Sequence, residues 1–253
     1  MKDLYLNHET GITVNFLMPV NTDGKAFEWL MSIYQKASDQ VYEQLNVIKE
    51  KACNLYGFDI ISTITRRIKT PTSIINKMKK KNFDINYKNL IDYVDDVAGI
   101  RVVCPTKDNI YTIIDIIDEL PNINVVQVKD YIKNKKKSGY SGYHIIVETL
   151  VEIEDKAFLT KVEIQIRTMA MDFWATNEHK IKYKTNKDLR FIDSKRMVLY
   201  AKILNFIDEK INKIYKKQEL SNKVWWVALS GIVLHVMYLV ILLNRYNFRT
   251  KLK

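Results

Sequence analysis

Lys161–Arg167 reads KVEIQIR, and the reading of this heptad decides the fold. Val162, Ile164 and Ile166 alternate with Lys161, Glu163, Gln165 and Arg167, which is the two-residue period of a strand with one apolar and one polar face. The polar face carries a carboxylate, an amide and cations in a row, so Glu163 is expected to stand up from a rigid platform. The same alternation recurs at Gly99–Cys104 (GIRVVC), which turns Ile100, Val102 and Cys104 inward and Arg101 toward the polar face, just after the acidic pair Asp95 and Asp96. Ile123–Val128 (INVVQV) and Tyr143–Thr149 (YHIIVET) also have strand character. Gly24–Leu55 and Arg190–Leu220 read as long amphipathic helices, and Thr70–Lys81 and Lys107–Leu120 as shorter ones. Strands with helices interposed predict an α+β fold, a mixed β-sheet with flanking helices.

Outward from these strands, 253 residues suffice for one substantial domain, and 47% hydrophobic against 27% charged composition excludes wholesale disorder and a polytopic membrane protein. The two cysteines, Cys53 and Cys104, are too few for a disulfide scaffold and have no zinc-type spacing, which favours a reducing compartment. A net charge of +11 points to polyanionic partners: nucleotides, nucleic acid or an anionic membrane surface.

The two chain ends differ. MKDLYLNHETGITVNF carries acidic residues and no apolar run, so it does not read as a secretion signal. Val224–Leu243 (VWWVALSGIVLHVMYLVILL) has no Lys, Arg, Asp or Glu over 20 residues, the length that crosses a hydrocarbon core, with Trp225 and Trp226 at its entry. A single transmembrane helix is expected there, with a buried C-terminal helix as the alternative. The resulting map is an N-terminal segment 1–24, a catalytic domain 25–189, a connecting C-terminal helix 190–223, a membrane span 224–243 and a basic tail 244–253. The catalytic domain is expected on the cytoplasmic face.

Two carboxylates from different segments, with arginines, suit a Mg²⁺-nucleotide site, because Mg²⁺ takes one or two carboxylates plus phosphate oxygens. The alternative is a solvated outer face of a sheet. Glycine-loop devices are missing: Gly24-Lys25-Ala26 is the nearest approach to a P-loop and lacks both its upstream glycine and its hydroxyl. Side chains must then hold polyphosphate. One cationic cluster is Arg66, Arg67 and Lys69, followed by Lys77; the other is Lys129–Lys137 (KDYIKNKKK), which runs into Ser138-Gly139-Tyr140-Ser141-Gly142-Tyr143-His144. A basic loop ending in glycines and tyrosines can clamp phosphates while a ring stacks on a base, although a solvated loop on a basic protein has the same composition.

In order, RRIKTPTSIINKM, DDVAGIRVVC, VKDYIKNKKKSGYSGYH, VEIQIRTMAMDFWATNEH and a closing KYK resemble the synthetase domain of RelA/SpoT homologues, in particular the single-domain small alarmone synthetases. The resemblance covers about Ile61 to Lys184. It implies a nucleotidyltransferase-like sheet and transfer of the β,γ-pyrophosphate of ATP to the 3′-hydroxyl of GDP or GTP, with Mg²⁺ as cofactor. The family's hydrolase motif is absent.

Carried over position by position, the resemblance puts Arg67 and Arg101 on the two faces of adenine, where planar guanidinium groups stack well. It puts Lys69, Lys77, Lys129 and Lys136 on phosphates. Asp96 becomes a Mg²⁺ ligand, leaving Asp95 a bystander. Glu163 becomes the second acidic residue, aiding the metal and drawing the proton from the attacking hydroxyl. Tyr140 would stack on the acceptor base, and His144 and Gln165 would line the acceptor side. Trp174, Glu178 and His179 fall on a following helix, in packing and capping roles. One departure stands out: the family commonly reads GYRSxH or GYQSxH where this chain has Tyr140-Ser141-Gly142-Tyr143-His144. That shortened, more basic edge leaves open an acceptor such as the 3′ end of tRNA or an adenine nucleotide, as in toxic members of the family. A catalytically dead nucleotide-binding module and a homo-oligomer also remain open.

Overall fold

Five strands, β1 (Thr63–Ile68), β2 (Ala98–Cys104), β3 (Ile123–Asp130), β4 (Tyr143–Ile153) and β5 (Lys156–Thr168), form one sheet in the order β1-β2-β5-β4-β3. The central pair β2–β5 is parallel and the other three pairs are antiparallel, so the sheet is mixed, as expected. The computed structural model describes residues 20–22, 24–56, 58–153, 156–185 and 193–218. Val224–Leu243, expected to cross a membrane, lies outside the described residues; among the described residues no helix is long and apolar enough to do so.

The apolar face of the sheet is covered by α1 (Lys25–Tyr56) and α4 (Lys107–Asp118). In α1, Phe27, Leu30, Tyr34, Ala37, Val41, Leu45, Ile48 and Ala52 recur every three or four residues, the spacing that keeps one helical stripe on the core. Ile110, Ile113 and Ile117 do the same in α4. They pack with Ile100, Val102, Ile145, Val147, Val162, Ile164 and Ile166 from the three inner strands into one cluster. Helix α2 (Pro71–Lys80) starts at Thr70, whose Oγ1 accepts from the Ser73 amide, with Pro71 in the first turn, where its missing N–H has no intrahelical partner to lose. The α4 cap is Thr106, which accepts from the Asn109 amide at 3.2 Å.

Two elements escaped the sequence reading. Strand β1 (TITRRI) is an edge strand whose consecutive Arg66 and Arg67 break the apolar alternation, since only one of its sides is paired. Helix α3 (Tyr87–Tyr93) has seven residues, too few to show a helical period, and is fixed by its cap Asn86 and by buried Tyr87 and Leu90. The predicted strands and helices otherwise appear within a few residues of their expected ends, except that β4 and β5 run on as a long hairpin to Ile153 and back from Lys156.

The first compact unit extends to Asp208, and Glu209–Lys253 form a second. Helix α6, over 193–208 at the end of the first unit, is integral to it: Trp174 of α5 (Met169–Thr185) donates Nε1–H to the Met197 carbonyl at 3.0 Å, and Thr168 donates its hydroxyl to buried Asp208 at 2.8 Å. Residues 209–218 are helical as well. Tyr140, Trp174 and Ala175 form a second small core with Met197, Ala201 and Leu204.

Gly139 closes this second core. Its φ is +92°, and a Cβ there would lie 2.6 Å from the Ala201 Cβ. Gly139→Ala is thus expected to destabilise the protein by about 1–3 kcal/mol through left-handed strain and overpacking, read as a lowered melting temperature.

Candidate active site

Register puts the polar residues in rows. Lys129 of β3, His144 of β4, Gln165 of β5, Arg101 of β2 and Thr65 of β1 are successive cross-strand partners, and the next row on the same face is Gln127, Ile146, Glu163, Gly99 and Arg67. Residues two apart on a strand share a face, so six of the residues singled out from sequence stand together on the face opposite α1. Arg66 turns the other way, to Asp39 and the Tyr42 ring on α1, which separates it from Arg67.

The centre of this polar face is buried, while Thr65, Arg67 and Gln127 toward its edges are exposed. Glu163 is 8% exposed and Arg167 is 6% exposed, so the carboxylate sits in a lined recess and does not stand free on the platform. A closed ring of hydrogen bonds occupies the recess. Arg167 Nη2–H donates to Tyr140 Oη at 2.9 Å and to Gln165 Oε1 at 2.8 Å; Gln165 Nε2–H donates to Glu163 Oε2 at 2.6 Å. His144 bridges the rest, with Nδ1 2.9 Å from Glu163 Oε1 and Nε2 2.5 Å from Tyr140 Oη. With a proton on Nδ1 the imidazole donates to Glu163, while the Nε of Arg167 is buried without a partner. Burial pushes the Glu163 carboxyl up, but the His144 imidazole and the Gln165 amide outweigh it and leave it below the usual carboxylate range.

Tyr140 is held differently from a ready-made stacking platform. It is 8% exposed, edge-on to His144, Trp174 and Tyr131, with Lys136 and Arg167 over its ring at 4.9 and 5.3 Å. Its hydroxyl tucks beside Gly142, where a Cβ would approach it to 3.2 Å, so the family's usual serine at this position would crowd the pose. Lys136 sits over Tyr131 at 4.3 Å as well, at the exposed rim of the loop.

Asp96 forms the second centre. Lys69 Nζ and Lys77 Nζ reach its two oxygens at 2.8 and 2.7 Å, one cation from the end of β1 and one from α2. Burial raises its carboxyl, and the two ammonium groups more than reverse this, so it stays ionised below the usual range. Asp95 is occupied elsewhere, paired with Lys161 at 3.1 Å, which distinguishes it from its neighbour. Asp96 lies on the approach to β2, whose Gly99 is the cross-strand partner of Glu163, so the two centres adjoin. Arg101 is half-exposed and pairs with Asp172 at 3.3 Å. Arg167 and Asp172 were missed as site residues. The i, i+2 series from Glu163 already contained Arg167, whereas nothing in the sequence period marks Asp172, in the first turn of α5.

Residues 66–188 match the model for a region found in RelA / SpoT proteins. The chain is 34% identical over 185 residues to the GTP pyrophosphokinase YwaC of Bacillus subtilis, covering 73% of this chain and 88% of that protein. It is similar to the small alarmone synthetase 1 of Bacillus subtilis bound to its product pppGpp, with TM-score 0.70, 29% identity, and 77% and 98% of the two chains covered. The form of that synthetase bound to AMPCPP gives TM-score 0.67 at 26% identity, covering 78% and 99%.

Because Asp96 and Glu163 are both depressed by native partners, their stabilisation is complete above the ordinary carboxylate range of about 4 and is lost as pH falls through their lower folded values. Thermal melts are expected to fall steeply below about pH 4, and Asp96→Asn to flatten that dependence. An unaltered slope in the variant would count against the Lys69–Asp96–Lys77 cluster.

Proposed function

The chain belongs to the RelA/SpoT family, and we propose that it is a pyrophosphokinase that transfers the β,γ-pyrophosphate of ATP to the 3′-hydroxyl of GDP or GTP, making (p)ppGpp. The observation that carries this reading is Glu163, an anionic carboxylate fixed by two donors in a buried recess beside the Asp96–Lys69–Lys77 cluster. A base held in place ahead of reaction needs no reorganisation when it takes a proton, and most of the rate in pyrophosphoryl transfer comes from positioning and charge stabilisation.

Arg101 and Arg67, on one face of neighbouring strands, offer guanidinium planes for the adenine of the donor. Lys69 and Lys77 offer cations for its phosphates, with Lys129 and Lys136 toward the acceptor. Glu163 accepts the proton of the attacking 3′-hydroxyl, while His144 and Gln165 fix its orientation. The donor set also suits Mg²⁺: Asp96 and Glu163 are both held ionised by their partners, and carboxylate oxygens are the hard ligands this ion takes. Asp96 and Glu163 would hold it, and when bound it neutralises charge on the transferring phosphates.

A second acceptor class is supported by the loop. Lys133, Lys135, Lys136 and Lys137 are all exposed, and Gly142 replaces the usual serine, which suits a larger polyanion such as the 3′ end of tRNA. Incubation with γ-labelled ATP and GDP, GTP, AMP, ADP or tRNA separates the readings. Labelled (p)ppGpp is expected, and Glu163→Gln is expected to lower turnover at least about a hundredfold, as loss of a general base does. Transfer to tRNA alone would reassign the acceptor, and an undiminished Glu163→Gln variant would remove Glu163 from the chemistry.

The span Val224–Leu243 supports attachment to the cytoplasmic face of a bacterial membrane. The full chain is expected to stay with the membrane pellet in about 1 M salt, where electrostatic attraction is screened within about 3 Å. Release by salt would mean that this segment is not inserted.

A further inference from the structure

Arg101 and Arg167 come from neighbouring parallel strands, on the same face and one row apart, where Arg101 pairs in register with Gln165 and Val103 with Arg167. Two guanidinium groups this close repel each other, and burial and the Arg167 charge both weaken the hold of Arg101 on its proton. A single atom answers both. Asp172 Oδ1 lies 3.0 Å from Arg167 Nη1 and 3.3 Å from Arg101 Nη1, with the carboxylate a quarter exposed and Arg167 almost wholly buried. The other terminal guanidinium nitrogen of Arg167, Nη2, is the one that donates to Tyr140 and Gln165 and so closes the ring around Glu163.

We propose that Asp172 is a positioning residue that joins the two halves of the site: through one oxygen it holds Arg101 of the donor half and Arg167, which carries the hydrogen-bonded ring that orients Glu163. This rests on the pyrophosphokinase reading for the identity of the halves. Seating the donor base on Arg101 fixes the Arg101–Asp172 pair, which fixes Arg167, and the Tyr140 and Gln165 contacts then hold Glu163 where the acceptor hydroxyl arrives. The base is thereby set by the presence of the donor, and occupancy of one half tightens the other, as thermodynamic linkage requires.

The alternative role for Asp172 is structural, a negative charge in the first turn of α5 favoured by the helix dipole. The experiment separates the two with the full chain. Affinities for AMPCPP and for GDP are measured alone and in each other's presence, beside steady-state kinetics and melting temperature, in the wild type and in Asp172→Ala, Asp172→Asn and Asp172→Glu. The wild type is expected to show mutual tightening of about tenfold, within the usual range of coupling between sites. Asp172→Ala is expected to bring that factor close to one and to lower kcat about tenfold or more, with smaller changes in the affinity for each nucleotide alone. Asp172→Asn keeps the shape and loses the charge, so it is expected to fall with Asp172→Ala, while Asp172→Glu recovers part of the coupling. Absence of mutual tightening in the wild type overturns the proposal, and so does a lower melting temperature in Asp172→Ala with coupling and kcat intact. A wild type that binds both nucleotides cooperatively but makes no (p)ppGpp overturns the assigned reaction and leaves the role of Asp172 standing.

Discussion

The parallel pairing of β2 with β5 is the constraint on which the rest depends. It sets Gly99 beside Glu163 and Arg101 beside Gln165, in the middle of a five-stranded sheet with antiparallel neighbours on both sides. Because side chains alternate faces, a slip of one residue would send Glu163, Gln165 and Arg167 into the apolar cluster and expose Val162, Ile164 and Ile166. The core therefore enforces the register of the site: Ile100, Val102, Ile164 and Ile166 are at most 1% exposed, and no other alignment keeps them so.

Buried polarity is tolerable here because the ring around Glu163 leaves none of its oxygens unpaired. An ionised carboxylate at 8% exposure carries a heavy desolvation cost, and the two donors from His144 and Gln165 offset it well enough that the group titrates below its usual range. The same physics governs Asp96, with two lysines in place of imidazole and amide. Each half of the site thus has a carboxylate already ionised and oriented by its own partners. Asp172 is placed between the halves by the first turn of α5, whose start is fixed by the Thr168 hydroxyl accepting from the Met171 amide at 3.2 Å.

The loop that carries Tyr140 is shaped by packing as much as by charge. Its lysines are exposed, but its glycines are committed: Gly139 to contact with Ala201 of α6, and Gly142 to the space beside the tyrosine hydroxyl. The helix expected to be only a connector therefore forms one wall of the small core that holds this loop. Tyr140 accordingly serves as a member of the hydrogen-bond ring, and an aromatic face for a base would have to come from a different side-chain pose.

The sequence by itself determined the sheet, its apolar face and the covering helices, because alternation in KVEIQIR and GIRVVC is a local property that one strand displays without its neighbours. The family resemblance singled out Asp96 over Asp95, and in the structure Asp96 pairs with Lys69 and Lys77 while Asp95 pairs with Lys161. Strand β1 and α3 were illegible because an edge strand with adjacent arginines and a seven-residue helix carry no period. Only the tertiary structure decided that Glu163, His144 and Arg167 at the centre of the polar face are buried, that Tyr140 turns inward, that α6 belongs to the first unit up to Asp208, and that Asp172 meets two arginines. Each of these depends on which residues distant in sequence come within hydrogen-bond reach, and that follows from the register of several strands at once, which no single segment encodes.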